Sequence, residues 1–192
     1  METETKIIKQ MIDNKKEYTI REIARGLKLD YKIVHTAAYR LLKKKVISMD
    51  KVGNSFQLKL LNNFSKDIFD AEFERREDCL RDKNIAVLLQ EINKNLREPN
   101  LIILLFGSHA KKIATKTSDF DLMFIVPSEK IEKKITEIIS VIPLKIHYLV
   151  FTSEQFYEML ESRQINVVKE AVKNNVILYG IESYYKILGC LK

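Results

Sequence analysis

The chain has 192 residues, 46% of them hydrophobic and 31% charged, with a formal net charge of +7. That profile belongs to a globular chain that buries a core in one medium or two small domains, and every apolar run falls short of the ~20 residues of a membrane span. Only two cysteines, Cys79 and Cys190, occur, which argues against a disulfide framework or a cysteine zinc site; with the polar N-terminal METETKIIKQ they point to a reducing cytoplasm. The charge is uneven: residues 1–62 hold fourteen Lys or Arg against seven Asp or Glu, and the rest of the chain balances. A basic module joined to a neutral one points to a polyanionic partner for the first, with a lysine-rich solvated surface as the plainer alternative.

In chain order, ETKIIKQMIDN (4–14) carries Ile7, Ile8, Met11 and Ile12 at amphipathic helical spacing. After the polar break KKEY, Thr19 and Glu22 form a T-x-x-E capping box that opens the helix IREIARGL, with Gly26 expected to end it. Asp30 caps a longer helix whose apolar side is Ile33, Val34, Ala37, Ala38, Leu41 and Leu42. VISMD and SFQLKLL alternate around a Gly-Asn turn, which predicts a β-hairpin. A connector, residues 63–84, follows, with Ser65 as a candidate cap and FERREDC expected as a solvated helix face with i,i+4 pairs. NIAVLLQEINKNL is a strongly amphipathic helix stopped by Pro99-Asn100. From 101 the pattern changes to strands LIILLF, FDLMFIV and LKIHYLVF, separated by a polar stretch and the helix SEKIEKKITEIISVI. Thr152 with Gln155 opens a further helix, and QINVVKEAVKNN, VILYG and IESYYKILG end the chain as helix, strand and helix. Mixed strands and helices of this kind make an α/β or α+β sheet domain.

Three helices and a terminal hairpin within residues 4–61 resemble a winged helix-turn-helix. The resemblance implies that the third helix enters a DNA major groove and that the wing touches an adjacent groove or backbone. Outside its apolar side that helix shows Tyr31, Lys32, His35, Thr36, Tyr39 and Arg40, with Lys43, Lys44 and Lys45 at its end and Lys51 with Asn54 at the wing. Long cations supply phosphate contacts, and Thr, Tyr and Arg can reach base edges. A winged helix used only for protein contacts is the alternative.

In the second part, a strand ending in Gly107-Ser108 lets a ligand approach the backbone closely, and a helix starting there would turn free N–H groups toward an anion. Lys111 and Lys112 stand just beyond. Asp119 and Asp121 are i and i+2 of a strand, so both carboxylates point the same way and repel unless a cation lies between them. Oxygen ligands of this kind suit Mg²⁺ with substrate phosphates and water. A phosphate cradle beside metal carboxylates is what phosphoryl or nucleotidyl transfer needs.

The string GSHAKKIATKTSDFDL, with ten residues between Ser108 and Asp119, resembles the signature of the DNA polymerase β-like nucleotidyltransferase superfamily. It looks most like the minimal nucleotidyltransferase branch, G-S-x-A-x-G-x-x-x-x-x-S-D-x-D, over about residues 85–181. The resemblance implies an α/β (α+β) fold, a small mixed sheet flanked by helices, preceded here by the winged-helix domain; the domains are then 1–62, the connector 63–84, and 85–192. It implies that Gly107 and Ser108 hold the nucleoside triphosphate, with Lys111 and Ser118 beside them, and that Asp119 and Asp121 bind Mg²⁺ (or Mn²⁺). Where the family commonly has glycine after the basic residue, Lys112 stands. The third carboxylate, usually supplied by the next strand, is matched in LKIHYLVF by His147, an imidazole that can accept a proton.

The activity this implies is metal-dependent transfer of a nucleoside monophosphate from an NTP, ATP among them, to an acceptor hydroxyl, coupled to DNA binding. The alternative is a DNA-binding regulator or antitoxin-like protein whose transferase domain senses nucleotide. Expected partners are the triphosphate, DNA and a small helical protein of the toxin–antitoxin type, with a homodimer as an assembly open to it and no membrane.

Overall fold

A computed structural model describes residues 2–53, 55–61 and 63–189. Asn54 and Cys190, both singled out above, lie outside the described residues. The chain divides into two compact units, Met1–Arg75 and Arg76–Lys192.

The first unit opens with α1 (Thr3–Asn14), whose Ile7, Ile8, Met11 and Ile12 are all buried. β1 (Tyr18–Thr19) then leads directly into α2 (Ile20–Leu27). The capping box is present: the Thr19 hydroxyl accepts from the Glu22 N–H (3.2 Å), and the Glu22 carboxylate accepts from the Thr19 N–H (2.7 Å). Gly26 does not end α2. It lies inside the helix, and Lys28 takes the left-handed cap conformation at φ 54°. A Cβ at 26 would meet the Gln10 amide of α1, the movable end of a flexible side chain.

α3 (Tyr31–Lys43) is capped by Asp30, whose carboxylate accepts from the Lys32 N–H at 2.7 Å. It buries Val34, Ala37, Ala38 and Leu41, whereas Ile33, expected on the apolar side, is 49% exposed. The buried stripe is thus narrower than the apolar spacing. β2 (Ile47–Val52) and β3 (Ser55–Leu60) form the expected antiparallel hairpin. The stretch read as a polar break adds a third strand, because Tyr18 and Thr19 pair with Leu58 and Gln57.

α4 (Lys66–Cys79) carries the first unit's last residues and runs on into the second. The run FERREDC is not a uniformly solvated face, since Arg75 is 5% exposed. Its Nε donates to Asp13 Oδ1 at 2.7 Å and its Nη1 to Glu72 Oε2 at 2.5 Å. A planar guanidinium can satisfy two carboxylates at once, which makes its burial tolerable. Burial alone would lower the Arg75 pKa, but Glu72 and Asp13 outweigh it and hold the group above its ordinary value.

The second unit is a mixed four-stranded sheet between two helical layers. α5 (Lys83–Asn95) precedes β4 (Ile102–Phe106), a single turn α6 (Gly107–Ala110), and β5 (Phe120–Val126). A 3₁₀ turn at Glu129–Ile131 and α7 (Glu132–Ser140) together replace the one helix expected there. β6 (Ile146–Thr152), α8 (Ser153–Glu161), α9 (Val167–Lys173), β7 (Val176–Tyr179) and α10 (Ile181–Gly189) follow. The Thr152–Gln155 capping box opens α8 as its spacing predicts.

Strand order is β6-β5-β4-β7, with β5 and β6 parallel and the other pairs antiparallel. On one face Ile103, Leu105, Phe120, Leu122 and Phe124 pack with Ile85, Leu88 and Ile92 of α5 and Ile135 of α7. On the other, Leu104, Met123, Ile125 and Ile177 are also fully buried, toward the side that α8, α9 and α10 cover with Phe156, Val168, Ala171 and Tyr184. Each such aliphatic side chain contributes about 1.5–3 kcal/mol. Burial on both faces makes the central strands continuous apolar runs, and any charge on them must sit at an end. Among the described residues no helix is long and apolar enough to cross a membrane.

Candidate functional site

The end of β4 and the start of β5, the two interior strands, meet at one end of the sheet, where Phe106 is paired with Asp121. The chain turns there at Gly107, which has φ 68°, and enters α6. A Cβ at this position would overlap the Asp121 carboxylate, coming within 2.8 Å of its Cγ. Glycine therefore serves twice, for the left-handed backbone and for the closeness of the aspartate.

Asp121 alternates with Phe120 and Leu122, which point into the core, so it projects from the opposite face. β5 begins one residue after Asp119, which is exposed and precedes the strand rather than belonging to it. The two carboxylates are brought to the same strand end, with Asp121 26% exposed at the side chain.

On the other side of β5, the parallel pairing sets Asp121 opposite His147 of β6. His147 Nδ1 lies 3.3 Å from Asp121 Oδ1, and its side chain is 63% exposed. The strand residue aligned with the aspartate is thus an imidazole that already contacts it.

The remaining predicted ligands are distributed around this core. Ser108 is half-buried in α6, and Lys111 is an exposed residue at its end. Lys112 has φ 58°, so the backbone keeps the left-handed conformation at the position where the family signature has glycine. The Ser118 hydroxyl accepts from the Thr115 N–H at 2.9 Å and lies 3.2 Å from the Thr115 hydroxyl. It holds together the turn that delivers Asp119.

Sequence reasoning passed over His109. Its ring lies on Phe120, with centroids 4.2 Å apart and planes 22° apart, and its Nε2 is 3.5 Å from the Ser118 carbonyl. Nothing in the sequence pattern marks a histidine between Ser108 and Ala110 as an aromatic partner of residue 120.

Among the described residues no group of three or more His, Cys, Asp or Glu side chains converges to hold a metal ion. The donor set nonetheless fits a hard divalent cation completed by substrate. Two carboxylates at one strand end are what Mg²⁺ takes from protein when phosphate oxygens and water supply the rest.

In the first unit, Tyr31, Lys32, Thr36, Tyr39, Arg40 and Lys43 are exposed on α3, and His35 is half-buried. Tyr31, His35 and Tyr39 lie in series, their rings tilted by 40° and 34° with centroids 5.8 and 4.6 Å apart. The Thr36 hydroxyl donates to the Lys32 carbonyl at 2.9 Å, so it is engaged within the helix. Lys44 is engaged too: its Nζ donates to Glu4 Oε2 at 2.8 Å and to Asp67 Oδ1 at 2.6 Å. Those hydrogen bonds, to Asp67 and then Glu4, raise the Lys44 pKa above its ordinary value. Arg40 lies 3.6 Å from Glu4 but is 67% exposed at the side chain. Lys51 is exposed near the end of β2.

A comparison with protein families matches residues 87–184, just over half of the chain, to the family described as Polymerase beta, Nucleotidyltransferase. Comparisons with curated proteins and with solved structures found no match.

Proposed function

Because the chain belongs to the polymerase β nucleotidyltransferase family, we propose that it transfers a nucleoside monophosphate from an NTP to an acceptor hydroxyl and releases pyrophosphate. The observation that carries this reading is the placement of Asp121, pressed against the Gly107 turn on one side and touching His147 on the other.

Asp119 and Asp121 would hold a divalent ion, Mg²⁺ or Mn²⁺, which when bound neutralises phosphate charge and acts as a Lewis acid. Gly107 admits the triphosphate close to the backbone, Ser108 offers a hydroxyl, and Lys111 adds a positive charge beside them. His147 takes the place of a general base. With its Nδ1–H donating to Asp121, Nε2 is left as the acceptor for the proton of the attacking hydroxyl. The hydroxyl oxygen then forms the new bond to the α-phosphorus, and the bond to the bridging oxygen of pyrophosphate breaks.

The order α1–α2–α3–hairpin supports reading the first unit as a winged helix that binds DNA through α3. Lys32, Arg40 and Lys43 would contact phosphate, and Tyr31, His35 and Tyr39 would face the groove. Lys51 would reach the adjacent backbone. Lys44, already paired with Glu4 and Asp67, holds the helix end instead.

Incubation with α-labelled NTPs, Mg²⁺ or Mn²⁺ and candidate acceptors tests the transfer. Label should move to an acceptor with the wild type and fall to background with Asp119→Ala/Asp121→Ala; equal transfer by both refutes the assignment. For the first unit, Lys32→Glu/Lys43→Glu in the full chain should weaken salt-dependent duplex binding, and unchanged binding refutes it. The imidazole at 147 favours a second reading, a DNA-binding regulator that binds the nucleotide without turnover. That reading predicts NTP binding with no label transfer under any metal.

A further inference from the structure

Behind the candidate site lies a depression of about 720 Å³, bounded by the start of α5, the 114–118 turn and the Pro143–Lys145 segment. Its lining includes Phe120, which belongs to the core face of β5, whereas Asp121 projects from the opposite face. A ligand there and one at Asp121 would sit on opposite sides of the same strand end.

We propose that this depression binds a nucleotide unit: a planar base carried by a phosphate-bearing sugar. Its size falls within the ~300–1,000 Å³ of small-molecule sites. His109, its ring backed by the nearly parallel and buried Phe120, supplies an aromatic surface of the kind on which bases stack. Lys116 and Lys145 come from separate segments and are exposed. Among the described residues neither is ion-paired, so both cations remain for phosphate. Asn84 and Thr117 add an amide and a hydroxyl able to meet the sugar or the base edge. Asp82 also lines the depression, its carboxylate engaged in accepting from the Asn84 N–H at 2.9 Å at the start of α5. Aromatic surface, two cations and neutral hydrogen-bonding groups together describe a nucleotide better than an inorganic anion or an apolar ligand. Ser118, which the family signature sets beside the triphosphate, also lines the depression, but the proposal uses none of the groups assigned to the metal or the triphosphate.

The histidines give each site its own reporter. In full-length protein labelled at histidine, imidazole signals are assigned with His109→Gln and His147→Gln. In EDTA, AMP and a short 5′-phosphorylated oligonucleotide are titrated in separate arms. Saturable movement of the His109 signal is expected, weakened roughly tenfold or more in Lys116→Glu/Lys145→Glu. Response to AMP identifies a free nucleotide as ligand; response to the oligonucleotide alone identifies a chain end. A His109 signal that moves in neither arm, or an affinity unchanged by the double charge reversal, overturns the proposal. Movement of the His147 signal on adding Mg²⁺–ATP reports the transfer site, so the two readings fail separately.

Discussion

Replacing Gly107 by alanine should damage the site through two terms that can be separated. At φ 68° an L-residue carries about 1–2 kcal/mol of backbone strain. The new Cβ would also stand 2.8 Å from Asp121 Cγ. The aspartate must retreat at least roughly 0.7 Å to bring Cγ to the ~3.5 Å optimum between carbons, and further to clear Oδ2, which lies closer still; overpacking of this kind costs about 1–3 kcal/mol. Gly53 supplies the control, since its φ is 58° and a Cβ there meets nothing within 4 Å. Gly53→Ala should therefore lose about 1–2 kcal/mol and Gly107→Ala about 2–5 kcal/mol, read as denaturant midpoints of the transitions of the two units. With Asp121 in the metal-holding role proposed for it, such a displacement should also cut transfer about 10²-fold. Equal losses for the two variants, with Gly107→Ala still active, would refute the claim that glycine is there to admit Asp121.

His147→Ala should lower transfer about 10²–10⁴-fold, while His147→Asp should raise the ratio of Mg²⁺- to Mn²⁺-supported rates; a ratio unchanged by the carboxylate would show that 147 lies outside the metal's reach. Glu72→Ala should destabilise the first unit by about 3–5 kcal/mol, because it leaves the buried Arg75 guanidinium short of one carboxylate. Pairing it with Arg75→Met should recover much of that loss, and a single-variant change below ~1 kcal/mol would contradict the burial argument. Glu22 has its pKa lowered first by the Thr19 backbone N–H and then by the Thr19 hydroxyl. Its contribution is therefore full above the ordinary carboxylate range and is lost as pH falls through the depressed folded value. Glu22→Gln keeps the acceptor oxygen and should flatten that acid limb of the thermal midpoint; parallel limbs would refute it.

What the sequence disclosed was mostly local. Both capping boxes could be read because their partners stand three residues apart, and the strands because burial on two faces leaves unbroken apolar runs. Gly107, Ser108 and the aspartates could be read because their spacing is a loop length. The failures were long-range. Arg75 reads as a surface charge until Asp13, from the first helix, is found against it. Ile33 has helical apolar spacing, but the width of the buried stripe depends on what packs there. Tyr18 and Thr19 become a strand only because β3 has a free edge. The strain at Lys112 cannot be read from residue type, since the lysine hides a backbone that glycine would have announced. The placement of His109 on Phe120 needs the closed turn between them.

The two members of the Asp121–His147 pair have unequal holds on the protein. β5 is hydrogen-bonded on both sides, whereas β6 ends the sheet and has one partner. Edge strands open at lower free energy than interior ones. Backbone amides around His147 should therefore exchange with solvent sooner than those around Asp121. Brief fraying would carry the imidazole away while the carboxylate stays against its glycine, and the pair would re-form on closure. The step assigned to His147 then has a duty cycle, set by how long β6 stays zipped to its neighbour, that the carboxylate does not share.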